Sequence, residues 1–341
     1  MKGGNRPSGA GPISLDGTAP LVVPVLSAAG GTGRSTVSAI LAVALNNRTV
    51  DPQSRAVAVC DASPRAVSPW PGWVDHTAER GTAWLSACAG DAERLAREVR
   101  RSTSALKAGA DRPIWVLTDT GALRPEFSGA DPGPRFWAPV LRYLRAAVID
   151  ADSLEAFRLV RQQANGELSV IAAWMADPGA RTAAVWVTDP SPAGMGRTLE
   201  AMTAAERCGL PMRQFVVAIN DHRGHGLVPR ARSRRTLLAD RVGAIVELRH
   251  EAALLRDGRP LCSADQLDRR DVTDLLTAVI GAADGPARRP AAAAALSPVA
   301  GTIPASPPAA VPALLAGLIP APSGRTPRHV ATSARAIPAG R

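Results

Sequence analysis

The chain has 341 residues, and its 40 Lys and Arg against 30 Asp and Glu give it a formal net charge of +10. At roughly 100–200 residues per domain this length admits two domains or one large domain with tails, and an apolar fraction of 46 % excludes a wholly disordered chain. No apolar run approaches the roughly 18–20 residues that cross a bilayer, and the Gly/Ser/Pro-rich stretch from Met1 to Pro20 lacks the continuous apolar segment of a secretory signal.

Residues 1–20 read as a flexible leader. Beyond them, β-branched apolar runs alternate with helical patterns. The first predicted strand is Leu21–Leu26, followed by a helix over Ser35–Asn46. Next come a strand at Ala56–Cys60, a helix over Asp91–Lys107 and a strand at Ile114–Thr118. A short amphipathic helix, Val140–Leu144, precedes a strand at Ala146–Ile149, and a helix over Ser153–Ala164 follows it. Strands at Ala183–Thr188, Phe215–Ile219 and Ala244–Val246 are interleaved with helices over Met195–Cys208, Arg232–Leu238 and Asp271–Ile280. Near-continuous apolar strands alternating with helices predict an α/β domain over 21–284. Its sheet is mostly parallel and doubly wound, with about seven strands and helices on both faces. From residue 285 to Arg341 the composition turns to Pro, Ala and Arg with no acid, which predicts a disordered tail.

The strongest chemical signal follows the first strand: Ser27-Ala28-Ala29-Gly30-Gly31-Thr32-Gly33-Arg34-Ser35-Thr36, then the helical VSAILAVAL. Glycines let the backbone turn tightly and aim successive N–H groups inward. The helix N-terminus adds unpaired donors and partial positive charge, so the segment is an anion site. Arg34 can pair with phosphate, and the Ser35 hydroxyl is placed for Mg²⁺.

The pattern GGxG[K/R][ST]T at Gly30, Gly31, Gly33, Ser35 and Thr36 resembles the deviant Walker A loop, KGGxGKT, of the MinD/ParA family of P-loop ATPases. Two departures stand out. Ala29 occupies the place of the signature lysine that reaches a partner's nucleotide across a dimer. Arg34 occupies the place of the phosphate-binding lysine, and a planar guanidinium fork is not a conservative exchange for a compact ammonium. Later segments follow the family's order. Val59-Cys60-Asp61-Ala62-Ser63-Pro64 resembles its apolar strand ending in DxDP, with Asp61 at the acid used near the attacking water and Mg²⁺. The Walker B acid is either Asp150, after Ala147-Val148-Ile149, or Asp119, after Trp115-Val116-Leu117-Thr118; the strand order favours Asp150. Thr188-Asp189-Pro190 resembles the strand ending in TxP. Asn220, ending Phe215–Ile219, stands at the family's adenine-reading asparagine, and Ala252–Leu261 resembles its helix with Gly-Arg-Pro. The resemblance spans about residues 21–281. It implies ATP and Mg²⁺ as cofactors: Gly30, Gly31, Thr32, Gly33, Arg34, Ser35, Thr36 and Asn220 on the nucleotide, Ser35 and Asp150 on the metal, and Asp61 and Arg34 in catalysis. It also implies a nucleotide-dependent homodimer. Replacement of both lysines points to weak or absent hydrolysis, and so to a switch or scaffold in positioning, partition or secretion.

Other features carry less. Cys60, Cys88, Cys208 and Cys262 show no CxxC spacing, which argues against a zinc site or disulfide framework and fits a reducing cytoplasm. Lys2 and Lys107 are the only lysines, a coding bias of GC-rich, actinobacterial type that weakens any argument from charge. The arginines near Arg230–Arg235 and in the tail still offer weak, nonspecific contact with DNA or an acidic membrane, at the periphery of nucleoid or membrane. His222 and His225 lack a third metal ligand nearby. A dinucleotide-binding oxidoreductase is the remaining alternative, because Gly31-x-Gly33-x-x-Thr36 mimics GxGxxG, but its third glycine is missing. A scaffold of the same fold that binds no nucleotide is another.

Overall fold

A computed structural model describes residues 19–47, 56–63, 68–75, 94, 98–99, 101–106, 114–118, 144–151, 169–250 and 269–285. The strands, in chain order, are β1 Leu21–Leu26, β2 Ala56–Asp61, β3 Val74–Asp75, β4 Thr103–Leu106, β5 Trp115–Leu117, β6 Leu144–Asp150, β7 Arg181–Thr182, β8 Ala184–Thr188, β9 Phe215–Asn220 and β10 Ala244–Leu248. The helices are α1 Arg34–Asn47, α2 Trp70–Trp73, α3 Val170–Ala176, α4 Pro192–Arg207, α5 Pro229–Ala239 and α6 Arg270–Asp284.

The strands form one sheet in the order β10-β9-β8-β1-β6-β2-β5-β4-β3, with β7 pairing on β1. Every pairing from β10 to β5 is parallel, while β3 and β4 add an antiparallel edge. All seven strands expected from the apolar runs are present, and the mostly parallel, doubly covered α/β architecture is the one expected.

Strand parity sorts the core onto two faces. Leu21, Val23 and Val25 of β1 pack with α1 and α6 through Val37, Leu41, Leu275 and Val279. Val22 faces Trp174 of α3, and Trp186 and Phe215 meet Met195 and Met202 of α4 and Leu238 of α5. Because both faces are covered, all six residues of LVVPVL are buried. Pro24 is tolerated in this central strand because of where its missing N–H falls. The β1–β7 and β1–β8 ladders share a register, Val22 with Thr182 and Val25 with Val185, and break between these pairs at Val23 and Pro24.

Some elements differ from expectation. The helix over Asp91–Lys107 is corrected at its end: Thr103–Leu106 form β4, antiparallel to β5 from Thr103 opposite Leu117 to Ala105 opposite Trp115. A helix would deny these backbone groups their ladder partners. Leu144, expected to end a helix, begins β6. Helix α4 starts at Pro192 rather than Met195: Ser191 caps it, accepting from the Gly194 N–H at 3.0 Å, and proline suits the first helical position. Helix α3 was not expected; Ser169 caps it through the Ala172 N–H. The helix over Ser153–Ala164, the segment Ala252–Leu261, Asp119, most of the leader and the tail lie outside the described residues.

Candidate functional site

Parallel α/β sheets place ligands beyond the carboxyl ends of their strands, at the point where strand order reverses. Here that point is the end of β1, flanked by β6 on one side and β8 on the other. The loop 27–33 leaves β1 at this point and enters α1. Gly31 and Gly33 have φ of 74° and 82°, a region closed to most side chains. Inside the loop, Ser27 Oγ donates to the Ala29 carbonyl at 3.0 Å. Asn220 Nδ2, at the end of β9, donates to the Thr32 carbonyl at 2.8 Å. A Cβ on Gly33 would overlap that Asn220 amide, whereas none would meet anything within 4 Å at Gly30 or Gly31. The first intrahelical bond runs from Val37 N–H to the Gly33 carbonyl at 2.9 Å. The N–H groups of Arg34, Ser35 and Thr36, and the hydroxyls of Ser35 and Thr36, have no partner among the described residues. First-turn donors of this kind attract anions.

Behind the loop lie two carboxylates. Asp61 ends β2 and Asp150 ends β6, and the two are direct register partners. Asp150 is fully buried. Its Oδ1 accepts from Arg34 Nε at 2.8 Å and Ser38 Oγ at 3.2 Å, and its Oδ2 accepts from Trp70 Nε1 at 2.7 Å. Arg34 is also held by Ser63, its Nη2 donating to Ser63 Oγ at 2.8 Å. Asp61 Oδ1 accepts from the Ser63 N–H at 3.0 Å, and its Oδ2 accepts from Ser68 Oγ at 2.6 Å and Thr118 Oγ1 at 2.7 Å. Burial, and secondarily the charge of Asp150, push the Asp61 carboxyl up to about 7 against these three donors.

The structure therefore brings together Gly30 through Thr36, Asn220, Asp61 and Asp150. It turns Arg34 inward, onto Asp150. Asn220 braces the loop through the Thr32 carbonyl. Ser38, Ser63, Ser68, Trp70 and Thr118 complete the cluster and were not singled out as site residues. Only its indole N–H, aimed at a buried acid from 80 positions away, identifies Trp70. The loop fits a phosphate anion, having open space over Gly30 and Gly31 and unused helix donors. The carboxylate end fits a divalent cation poorly, because both Asp150 oxygens already accept from protein donors.

The basic loop after β9 is arranged differently. Asp221 folds it, accepting from the His225 and Gly226 N–H groups at 3.0 Å each. Arg234 reaches the Pro192 carbonyl, Arg235 pairs with Glu247 at 2.8 Å, and Arg230 and Arg232 are exposed. No group of three His, Cys, Asp or Glu that could hold a metal occurs among the described residues. Nor is any described helix long and apolar enough to cross a membrane.

No family model matches the chain. No curated protein matches it by sequence. Solved structures do resemble it. The ParA family ATPase from Chlorobium tepidum TLS matches at 14 % identity over 78 % of this chain and 98 % of that one, with a TM-score of 0.50. The cell division ATPase MinD of Pyrococcus furiosus matches at 20 % identity over 76 % and 96 %, with a TM-score of 0.48. The MinD of Pyrococcus horikoshii OT3, complexed with Mg-ADP, matches at 19 % identity over 77 % and 94 %, with a TM-score of 0.45. With the central β1, the glycine loop and the acids at the ends of β2 and β6 in place, the Chlorobium likeness identifies the fold: this chain has the MinD/ParA-like P-loop fold.

Proposed function

We propose that this chain binds a nucleotide, ATP in the first place, through Gly30–Thr36, and that it is a weak or inactive ATPase working as a switch or scaffold in positioning, partition or secretion. The observation that carries this reading is the loop itself. Two left-handed glycines turn the chain at the end of the central strand, and the first turn of α1 offers three unused N–H donors beside two register-paired carboxylates. In this reading Gly30, Gly31, Thr32, Gly33, Ser35 and Thr36 receive the phosphates, and Asn220 borders the base. Ser35 is the loop hydroxyl that the resemblance assigns to a metal, and Asp150 lies behind it. Asp61 is the acid nearest the reacting phosphate. When bound, ATP supplies a phosphoanhydride whose terminal phosphoryl group can pass to water. Among the described residues little serves that transfer, since Ala29 offers no cation and the Arg34 charge is held by Asp150.

A nucleotide-dependent homodimer, a cytoplasmic location at the periphery of nucleoid or membrane, and salt-sensitive contact of the arginine-rich segments with DNA or acidic lipid belong to the same proposal. A second reading, a scaffold that binds no nucleotide, is favoured by the inward turn of Arg34. Calorimetry of the full chain with ATP, ADP and NAD separates them. Binding of ATP or ADP supports the proposal, no binding supports the scaffold, and selective binding of NAD restores the oxidoreductase.

A further inference from the structure

We propose that Arg34 is the resident cation of this site, so that its phosphate-bearing ligand is bound without a divalent metal. The inference rests on the nucleotide reading of the loop and departs from the metal requirement that the resemblance implies.

Three observations carry it. First, both oxygens of the carboxylate at the Walker B position are already engaged. Its two oxygens receive three protein donors, Arg34 Nε, Ser38 Oγ and Trp70 Nε1, at 2.7–3.2 Å. A hydrated divalent ion held by Asp150 would have to share an oxygen with one of these donors, beside a guanidinium that already balances the charge. Second, the guanidinium is anchored at two points on different strands, Asp150 of β6 and Ser63 just beyond β2, and its side chain is only 12 % exposed. Withdrawing it would leave Asp150, fully buried, without a counter-charge, which is costly. Third, the second acid offers no substitute. The Asp61 oxygens are likewise engaged, Oδ1 by the Ser63 N–H and Oδ2 by the Ser68 and Thr118 hydroxyls. Among the described residues, the metal ligands left are the Ser35 and Thr36 hydroxyls with whatever the nucleotide and water bring, and no carboxylate oxygen there is clear of protein donors.

The exchange of lysine for arginine gives this its chemical sense. A planar fork can donate to Asp150 and Ser63 at once, whereas a compact ammonium acts as a point charge and cannot span both in that way. Arginine at the first residue of α1 therefore supplies the cation that buried Asp150 requires, and the α1 donors supply the attraction for phosphate.

The test uses the full chain, stripped of metal, and an ATP analogue whose fluorescence reports binding, titrated once in excess EDTA and once in excess MgCl₂. The expected result is a pair of affinities within about threefold of each other. A ligand bound more than about threefold tighter with Mg²⁺ overturns the inference while leaving the nucleotide reading intact. No binding in either buffer overturns the nucleotide reading, and the inference falls with it. In Arg34→Lys the expected result is binding about tenfold tighter with Mg²⁺ than with EDTA, because Asp150 loses its guanidinium and Oδ1 keeps only the Ser38 hydroxyl. If a folded Arg34→Lys protein stays as indifferent to Mg²⁺ as the wild type, Arg34 is not the cause. Should that variant fail to fold, Trp70→Phe frees Asp150 Oδ2 alone and is expected to introduce the same preference in smaller measure; an unchanged ratio there overturns the inference too.

Discussion

The glycine loop and the pair of carboxylates behind it adjoin at the end of the sheet, yet their hydrogen bonding is opposite. In the loop, Arg34, Ser35 and Thr36 present backbone donors with no described partner, and the Cβ positions of Gly30 and Gly31 are open. Among the carboxylates, every oxygen of Asp61 and Asp150 accepts at least one bond, and Asp150 has its own guanidinium. The loop is built to receive a ligand. The acids are built to be satisfied by the protein itself. A nucleotide site needs only the first property; a fast metal-dependent ATPase needs acids that are also available.

The largest effect is expected from attacking the saturated side. Asp150→Ala strands the Arg34 charge, Ser38 and the Trp70 indole N–H, and should destabilise the fold by about 3–5 kcal/mol in urea unfolding. A loss under about 1 kcal/mol would mean the ion pair is not formed in solution.

The open side should break at Gly33. Valine there meets both a φ of 82° and the Asn220 amide, so Gly33→Val should abolish nucleotide binding and cost about 1–3 kcal/mol of stability. Because Asn220 shares that collision, adding Asn220→Ala should recover part of the stability but not the binding. Equal nucleotide affinity in Gly33→Val and wild type would place the ligand elsewhere.

Converting one arrangement toward the other is the purpose of the double substitution Ala29→Lys and Arg34→Lys. It restores two mobile ammonium groups and relieves Asp150 of its guanidinium, and a steady-state phosphate-release assay should show about a tenfold rise in turnover over a weak or absent wild-type rate. Robust wild-type turnover, untouched by Arg34→Ala or Asp61→Ala, would contradict the assignment of the site.

A smaller, pH-dependent effect separates the two acids. The folded protein raises Asp61 from 3.8 to about 7, so folding favours its protonated form. The resulting stability is full below about pH 4 and is lost as the pH rises toward 7, with a slope of at most about 1.4 kcal/mol per pH unit. Asp61→Asn should flatten the stability profile over that window, and an unchanged slope would assign the titration to another group. The smallest effect belongs to the exposed pair of Arg181 with Asp284, far from either region. Arg181→Ala should cost less than about 1 kcal/mol and leave ligand binding unaltered.

Much of this molecule was readable along the chain because the signals are local. Seven apolar runs became seven parallel strands, since a strand covered on both faces must be apolar nearly throughout. The glycines of the loop were readable because only glycine adopts the φ of Gly31 and Gly33 without strain. Asp61 and Asp150 were found because each ends an apolar strand in the order of the family that the loop resembles. What pattern could not supply were the pairings: Arg34 meets Asp150 across 116 positions, and Trp70 meets it across 80. Residues 103–106 were misassigned because a short polar strand on an antiparallel edge has no apolar period of its own, and its ladder partners, Leu117 and Trp115, lie in another segment.

Local composition therefore settled the strands, the turn and the types of group at the site, since each follows from the conformational and solvation preferences of a few adjacent residues. Whether the arginine of the loop would face outward to a phosphate or inward to a carboxylate depended on which buried charge lacked a partner. That was decided when β2 and β6 came side by side and placed Asp61 beside Asp150, two acids in a dry interior where one of them required a cation.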